Sequence, residues 1–314
     1  MTLKNKISIF TPCYNEEGNV AKLIEEVEKI FEKLPQYAYE HIFIDNCSTD
    51  KTPSILREIA ANNKNVKVIF NVRNFGHVRS PYYGLMQCQG DAVIAVVADF
   101  QDPVEMIPEF LQKWEEGHKL VLGIKHKSKE NAGMFFIRKF YYNLLTKSAG
   151  GTKPIKNFTG FGLYDKKFID VVRTIDDPYP YFRGMVTDLG FDRFEIEYTQ
   201  PERLSGKTKN NLFTLYDVAM LGFVNHSKLP LRLSAFIGFS TAIISFITAM
   251  IYFIYKLIFW ENFEVGMAPL VIGLFFFSSV QLFFIGVIGE YIGSIYTQVR
   301  KRPLVIEKER INFD

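Results

Sequence analysis

The sequence predicts an α/β fold, a mainly parallel sheet with helices on both faces, followed by a two-helix membrane region. Three observations lead there. Short apolar runs alternate with amphipathic stretches through the first hundred residues, loops rich in Asp and Asn follow the apolar runs, and the last quarter holds two long uncharged stretches.

The first apolar run is KISIFTP (6–12), a strand, and NVAKLIEEVEKIFEKL (19–34) after it has the spacing of an amphipathic helix. YEHIFIDN (39–46), SILREIAANN (54–63), VKVIFNV (66–72) and DAVIAVVADF (91–100) continue as strand, helix, strand and a later strand. In such sheets ligands bind beyond the carboxyl ends of the strands. Here those ends read TPCYNEE, DNCSTDK, NVRNFGH and ADFQDP, four polar loops that converge if the strands are neighbours.

Further on, Arg138, Lys139 and Lys147 interleave with Met134, Phe135, Phe136, Tyr141, Tyr142 and Leu144, the composition of an interfacial helix. The segment Asn211–Ser227 fits either a surface or a core helix. The expected organisation is therefore a catalytic-type α/β domain over 1–210, a juxtamembrane segment over 211–231, two transmembrane helices within 232–298, and a C-terminal tail over 299–314.

The membrane prediction follows from length. Leu233–Tyr255 and Met267–Gly289 contain no charged side chain, and each is long enough to cross a hydrocarbon core of about 30 Å as a helix. Hydrophobic residues make up 48% of the chain, and so uneven a distribution leaves the rest too small to bury both stretches in a soluble core. Lys228, Arg232, Arg300, Lys301 and Arg302 flank the stretches, whereas the connection between them carries Glu261 and Glu264, so both termini are expected in the cytosol at a plasma membrane. The first residues lack the apolar segment and cleavage site of a signal peptide, and Cys13, Cys47 and Cys88 are expected as reduced packing residues. A formal net charge of +3 gives no reason to expect nucleic acid, and the juxtamembrane basic residues suit an anionic lipid surface.

Among the loops, Val97-Ala-Asp-Phe-Gln-Asp-Pro103 places Asp99 and Gln101 at the end of an apolar strand, where oxygen ligands can hold a divalent cation that keeps water and substrate phosphates in its shell. Taken alone, such an Asp is more often a turn former. Likewise, ERLSGKTK alone reads as a solvated basic turn, and TPCYNEE alone as a strand running into a helix favoured by Glu16 and Glu17.

Taken together and in order, TPCYNEE, IDNCSTD, NVRNFGH, ADFQDP and ERLSGKTK resemble the motifs of family 2 glycosyltransferases of the GT-A fold, of the bactoprenol glucosyltransferase and dolichol-phosphate mannose synthase type with two C-terminal membrane helices. The resemblance covers nearly the whole chain. It implies transfer of a sugar from a UDP- or GDP-sugar to polyprenyl phosphate with Mg²⁺ or Mn²⁺, and it allows a homo-oligomer. It also implies donor-binding roles for Pro12, Tyr14, Asn15, Glu16, Asp45, Arg73, Asn74 and Gly76, with Asp45 facing the base. Asp99 and Gln101 match metal ligands, Asp102 lies in the catalytic QDP, and Arg203, Gly206 and Lys209 fall in a basic loop over the diphosphate. For the acceptor phosphate the candidates are the basic residues Arg138, Lys139, Arg183, Lys228 and Arg232.

Two departures stand out. Val97 occupies the place of the family's first metal-site acid, and Thr159-Gly160-Phe161-Gly162 replaces a Gly-Asp-Phe-Arg that carries a proposed catalytic acid. A phosphate acceptor tolerates the second loss, because its second pKa of about 6 leaves it ionised at neutral pH. Three readings therefore stand at this stage: the polyprenyl-phosphate enzyme acting by inverting displacement, an enzyme for another lipid, and an inactive nucleotide-binding homologue. Asp165 and Asn157 remain without a role.

Overall fold

The computed structural model describes residues 5–125, 155–201, 229–259 and 267–313. Eight strands form one sheet: β1 (Lys6–Cys13), β2 (Ala38–Asp45), β3 (Val66–Asn71), β4 (Ala92–Ala95), β5 (Leu120–Lys125), β6 (Phe158–Asp165), β7 (Arg193–Tyr198) and β8 (Glu307–Ile311). Their spatial order is β7-β5-β6-β4-β1-β2-β3-β8. β1 pairs in parallel with both β2 and β4, and β2 with β3, whereas β6 runs antiparallel between β4 and β5.

The expected alternation is present. Helix α1 (Val20–Glu32) buries Val20, Leu23, Ile24, Val27 and Phe31, a stripe at helical spacing that leaves its charged face in water. Helix α2 (Thr52–Asn62) carries Pro53 in its first turn, where a missing N–H costs nothing. Helices α3 (Gly76–Met86), α4 (Ile107–Glu115), α5 (Lys166–Arg173) and α6 (Phe182–Asp188) complete the domain. One core lies on the α1, α2 and α4 face around Leu23, Phe43, Leu56 and Phe110; the other lies around Phe10, Tyr82, Tyr164 and Phe168 under α3, α5 and α6. The sheet is thus covered on both sides, which is why the central strands β1 to β4 bury long apolar runs such as Ile42–Ile44 and Val68–Phe70.

Two long helices follow, α7 (Leu229–Ile258) and α8 (Met267–Val299). Stretches Leu233–Tyr255 and Ile272–Val299 are apolar enough to cross a membrane, and their large side chains, such as Phe236 and Phe283, lie exposed. The second helix runs on past Glu290, ten residues beyond the charge-free stretch that defines it in the sequence.

The residues after α8 differ from the separate tail expected. Glu307–Ile311 pairs antiparallel with β3, so 299–314 contributes the last strand of the sheet. Arg57 grips Glu309 with Nε and Nη2 at 3.0 and 2.8 Å, and Tyr83 donates to Glu307 at 2.9 Å. The Asn312 side chain donates to the carbonyls of Ala60 and Val66 at 2.6 and 2.8 Å. Asp165 also finds its role: it caps α5 by accepting from Lys167 N–H and takes bonds from Trp114 and Lys119, a structural duty.

Candidate functional site

After β1 the chain moves to one side through β2 and β3, then returns to β4 on the other side of β1. The crevice at this reversal, beyond the carboxyl ends of β1 and β4, is where sheets of this kind bind ligands. A cavity of 630 Å³ opens there, bounded by Pro12 and Cys13 at the end of β1 and Tyr14 after it, Asn74, Gly76 and His77 before and within α3, Val96, Val97 and Asp102 after β4, Thr159–Phe161 in β6, and Pro180–Arg183 at the start of α6.

Backbone strain collects around it. Asn15, Cys47 and Phe100 adopt φ of 58°, 64° and 60°, the left-handed region that costs a side chain energy unless its surroundings enforce it. The enforcement is visible for the first two loops, which are laced together. Asn15 N–H donates to Ser48 Oγ at 2.8 Å, Thr49 N–H to Asn15 Oδ1 at 2.7 Å, and Glu16 N–H to Thr52 Oγ1 at 2.8 Å. The loop before α3 hangs on one buried side chain. Asn46 accepts from Phe75 N–H at 2.9 Å and from Asn71 Nδ2 at 3.2 Å, and donates to Asn74 Oδ1 and the Gly76 carbonyl at 2.9 and 3.2 Å.

In the loop after β4, Asp99 Oδ1 accepts from Gln101 N–H at 3.1 Å, forming a tight turn around Phe100. Asp102 folds back to accept from Val97 N–H at 3.2 Å and takes a second bond from the Tyr198 hydroxyl at 3.2 Å. Asp102 is 4% exposed; burial pushes its pKa up to about 7, with the Asp99 charge adding to the rise and its two hydrogen bonds and Arg183 opposing it.

The predicted residues thus separate. Pro12, Tyr14, Asn74, Gly76, Asp102 and Arg183 border one cavity. Asn15 and Glu16 instead tie loops together, and Arg73 lies over the Phe75 ring, 4.1 Å from its centroid. Asp45 is buried, with one oxygen taken by Ser48 N–H at 3.1 Å and the other by the Ser48 hydroxyl, and it borders the turn rather than the cavity. Asp99 and Gln101 share the loop of Asp102 but are not among the residues that border the cavity. Arg138, Lys139, Arg203, Gly206, Lys209 and Lys228 lie outside the described residues, as do the interfacial and juxtamembrane segments. Arg232 falls in the first turn of α7.

No cluster of three His, Cys, Asp or Glu side chains among the described residues is arranged to hold a metal. The donor set present, one carboxylate and one carboxamide two residues apart, is all oxygen, and Val97 opposite offers none. That fits a hard cation of the Mg²⁺ or Mn²⁺ kind only if a phosphate-bearing ligand and water fill the rest of its shell. At Gly160 the missing acid has a backbone counterpart: φ is 107°, a region that favours glycine, and nothing lies within 4 Å of where a Cβ would sit.

Sequence reasoning assigned no role to Asn46, His77 or Tyr198, and it noted Thr159 and Phe161 only as part of a departure from the family motif. Tyr198 had one faint signal, its place at the end of a strand just before ERLSGKTK.

The sequence profile described as "Glycosyl transferase family 2" matches residues 8–172, which takes in every described wall of the cavity except Pro180–Arg183. The uncharacterized glycosyltransferase YkcC of Bacillus subtilis is 34% identical over 98% of this chain and 94% of its own length. The SfII prophage-derived bactoprenol glucosyl transferase of Shigella flexneri is 32% identical over 97% of this chain and 98% of its own. Among solved structures, a glucosyl-3-phosphoglycerate synthase from Mycobacterium tuberculosis, crystallised with Mn²⁺, UDP-glucose and phosphoglyceric acid, superposes with a TM-score of 0.50 at 16% identity, covering 70% of this chain and 78% of that one. That likeness concerns the fold.

Proposed function

The chain belongs to glycosyl transferase family 2, and on that premise we propose that it moves a sugar from a nucleoside-diphosphate sugar onto polyprenyl phosphate at the cytosolic face of a plasma membrane. The observation that carries the proposal is the cavity at the strand reversal. It brings the loops after β1 and β3, with Pro12, Tyr14, Asn74 and Gly76, across from Arg183, so a donor and an anionic acceptor can meet in one space. The relatives named bactoprenol glucosyl transferase supply the acceptor class, and the two apolar helices suit a lipid substrate.

In this reading the nucleotide lies against the loops after β1 and β3, and its diphosphate points toward the Val97–Asp102 loop. Asp99 and Gln101 would hold Mg²⁺ or Mn²⁺ there; bound to the diphosphate, the ion stabilises the negative charge that the leaving group gains. Arg183 steers the acceptor phosphate toward the anomeric carbon. An oxygen of that phosphate forms the new bond to C1 as the C1–O bond to the diphosphate breaks, with inversion, and the nucleoside diphosphate departs with the electron pair. No proton has to leave the nucleophile, which is why Gly160 can stand where an acid is expected. Arg203 and Lys209 are assigned to the leaving diphosphate by motif alone, and Arg138, Arg183 and Arg232 to the acceptor by charge.

The strand β8 supports the membrane topology. It pairs with β3 only eight residues after α8 ends, which supports placing the end of α8 on the same side as the catalytic sheet. In this reading the two crossings form a hairpin with both outer ends on the sheet's side, and the basic residues at those ends support a cytosolic location for that side.

The test is incubation of purified protein with Mn²⁺, undecaprenyl phosphate and a panel of UDP- and GDP-sugars, followed by mass spectrometry of the lipid fraction. A glycosyl phosphoryl lipid formed by the wild type and lost in Asp99→Ala is the expected result. Nucleotide binding with no lipid product from any donor would reject the acceptor; retained anomeric configuration would reject the displacement.

A further inference from the structure

Tyr198 closes β7, an edge strand, yet its ring is turned inward and is only 6% exposed. Three segments that border the cavity or carry its chemistry meet at this side chain. The hydroxyl donates to Asp102 Oδ1 at 3.2 Å. The ring packs edge-on against Phe161, with centroids 5.4 Å apart and planes at 75°. The sequence makes room for this pair: a Cβ on Gly123 would sit 2.6 Å from Phe161 Cδ1 and 3.2 Å from Tyr198 Cε1, closer than real contacts allow. Any other residue at 123 would displace the rings.

The other oxygen of Asp102 accepts the Val97 N–H, the bond that closes the loop bearing Asp99 and Gln101. Tyr198 therefore acts on that loop at one remove. Asp102 alone could swing about its own side-chain torsions; with Oδ1 held by Tyr198, the carboxylate plane is set, and so is the distance between Val97 and the turn at Phe100.

We propose that Tyr198 is a positioning residue of the donor site: its hydroxyl, through Asp102, holds the Val97–Asp102 loop in the shape in which Asp99 and Gln101 receive a divalent cation together with the donor's diphosphate. The inference rests on the proposed function and deepens it. A residue that orients ligands from the second layer commonly changes metal affinity by roughly tenfold or more when lost. Tyr198→Phe deletes one oxygen and leaves the ring that packs on Phe161.

The experiment titrates Mn²⁺ into the full-length protein in detergent, with saturating UDP or GDP, and follows free Mn²⁺ by electron paramagnetic resonance; thermal unfolding is recorded on the same samples. The expected result is that Tyr198→Phe binds Mn²⁺ about tenfold more weakly, that Asp102→Asn does the same, and that the double variant is no weaker than the weaker single, because both act through one link. An unchanged Mn²⁺ affinity in Tyr198→Phe, or full additivity in the double variant, would overturn the proposal. So would a fall in unfolding temperature with no change in Mn²⁺ binding, the signature of a packing role alone. If Tyr198→Phe yields no folded protein, Asp102→Asn decides in the same titration. Failure of the wild type to bind Mn²⁺ with either nucleotide would count against the donor-site reading itself, and the two failures are thereby distinguished.

Discussion

Replacing Asn46 by alanine removes four side-chain hydrogen bonds at the hinge between β2 and the loop that enters α3. The partners fare unequally. Phe75 N–H is buried and has Asn46 Oδ1 as its acceptor, so it is left without one. Asn71 Nδ2 keeps Ser80 Oγ at 2.9 Å, Asn74 Oδ1 keeps Gly76 N–H at 2.8 Å, and the Gly76 carbonyl, on an exposed residue, can turn to water. One orphaned buried donor costs about 1–3 kcal/mol, and each remaining lost bond about 0.5–1.5 kcal/mol where water does not replace it, so the expected destabilisation is about 2–4 kcal/mol. Denaturant unfolding in detergent, followed by tryptophan fluorescence, measures it. Because Asn74, Gly76 and His77 border the cavity, nucleotide affinity should fall in the same variant. Asn46→Asp, which keeps the acceptor for Phe75, should lose less of both. A change below about 0.5 kcal/mol, the size of an ordinary surface substitution, together with unaltered nucleotide binding, would refute the claim that this side chain shapes the loop.

Other predictions follow from single contacts. His41 is buried beside Thr11, and burial lowers its pKa to about 3. Between that value and about 6.5 the unfolded chain binds a proton that the folded chain does not, so this contribution is intact above pH 6.5 and is lost as pH falls toward 3. In His41→Gln the slope of stability against pH in that window should therefore be shallower by about 1.4 kcal/mol per unit, read from unfolding midpoints in a pH series. Asn312→Ala deprives the Ala60 and Val66 carbonyls of a donor and should cost about 1–2 kcal/mol in denaturant unfolding, even though the residue is far from the cavity. Gly160→Asp puts a carboxylate back at the cavity wall, at a φ that costs an L residue about 1–2 kcal/mol. With undecaprenyl phosphate as acceptor it should not raise kcat; a faster enzyme would show that the reaction does need a protein base.

Much of the fold was legible because it is written in local periodicity. The inward stripe of α1, the apolar β1 to β4 and the polar residues at their ends need no partner to be recognised, and the family motifs fall on those ends. The two long helices were legible from length and lack of charge, although the end of α8 was not, since a single Glu290 stops a count of uncharged residues without stopping a helix. The strand β8 was hidden for a different reason. EKERI carries four charges in five residues, and it is a strand because β3 offers an open edge and because Arg57, Tyr83 and Asn312 make polar contacts there. At the site, residue type drew attention to Asp45, Asp99 and Asp102, but of these three only Asp102 borders the cavity. Asn46 sat inside a motif loop and Tyr198 at a strand end beside another, but neither was marked by its residue type, because their importance comes from what tertiary packing puts beside them.

The pairing of β8 with β3 also imposes an order on biogenesis. Arg57 and Glu309 stand 252 positions apart, so the edge of the sheet waits for a strand that is synthesised after both long helices. Until then the β3 edge presents unpaired backbone groups and part of the surface around Phe70, a template for association with other chains. A nascent chain whose two long helices have not been accommodated lacks the strand that seals this edge. Completion of the sheet thus reports that synthesis has passed both long helices and that Glu307–Ile311 has come back to the N-terminal half, so that a chain cut short before it would be marked for quality control by an open β-edge.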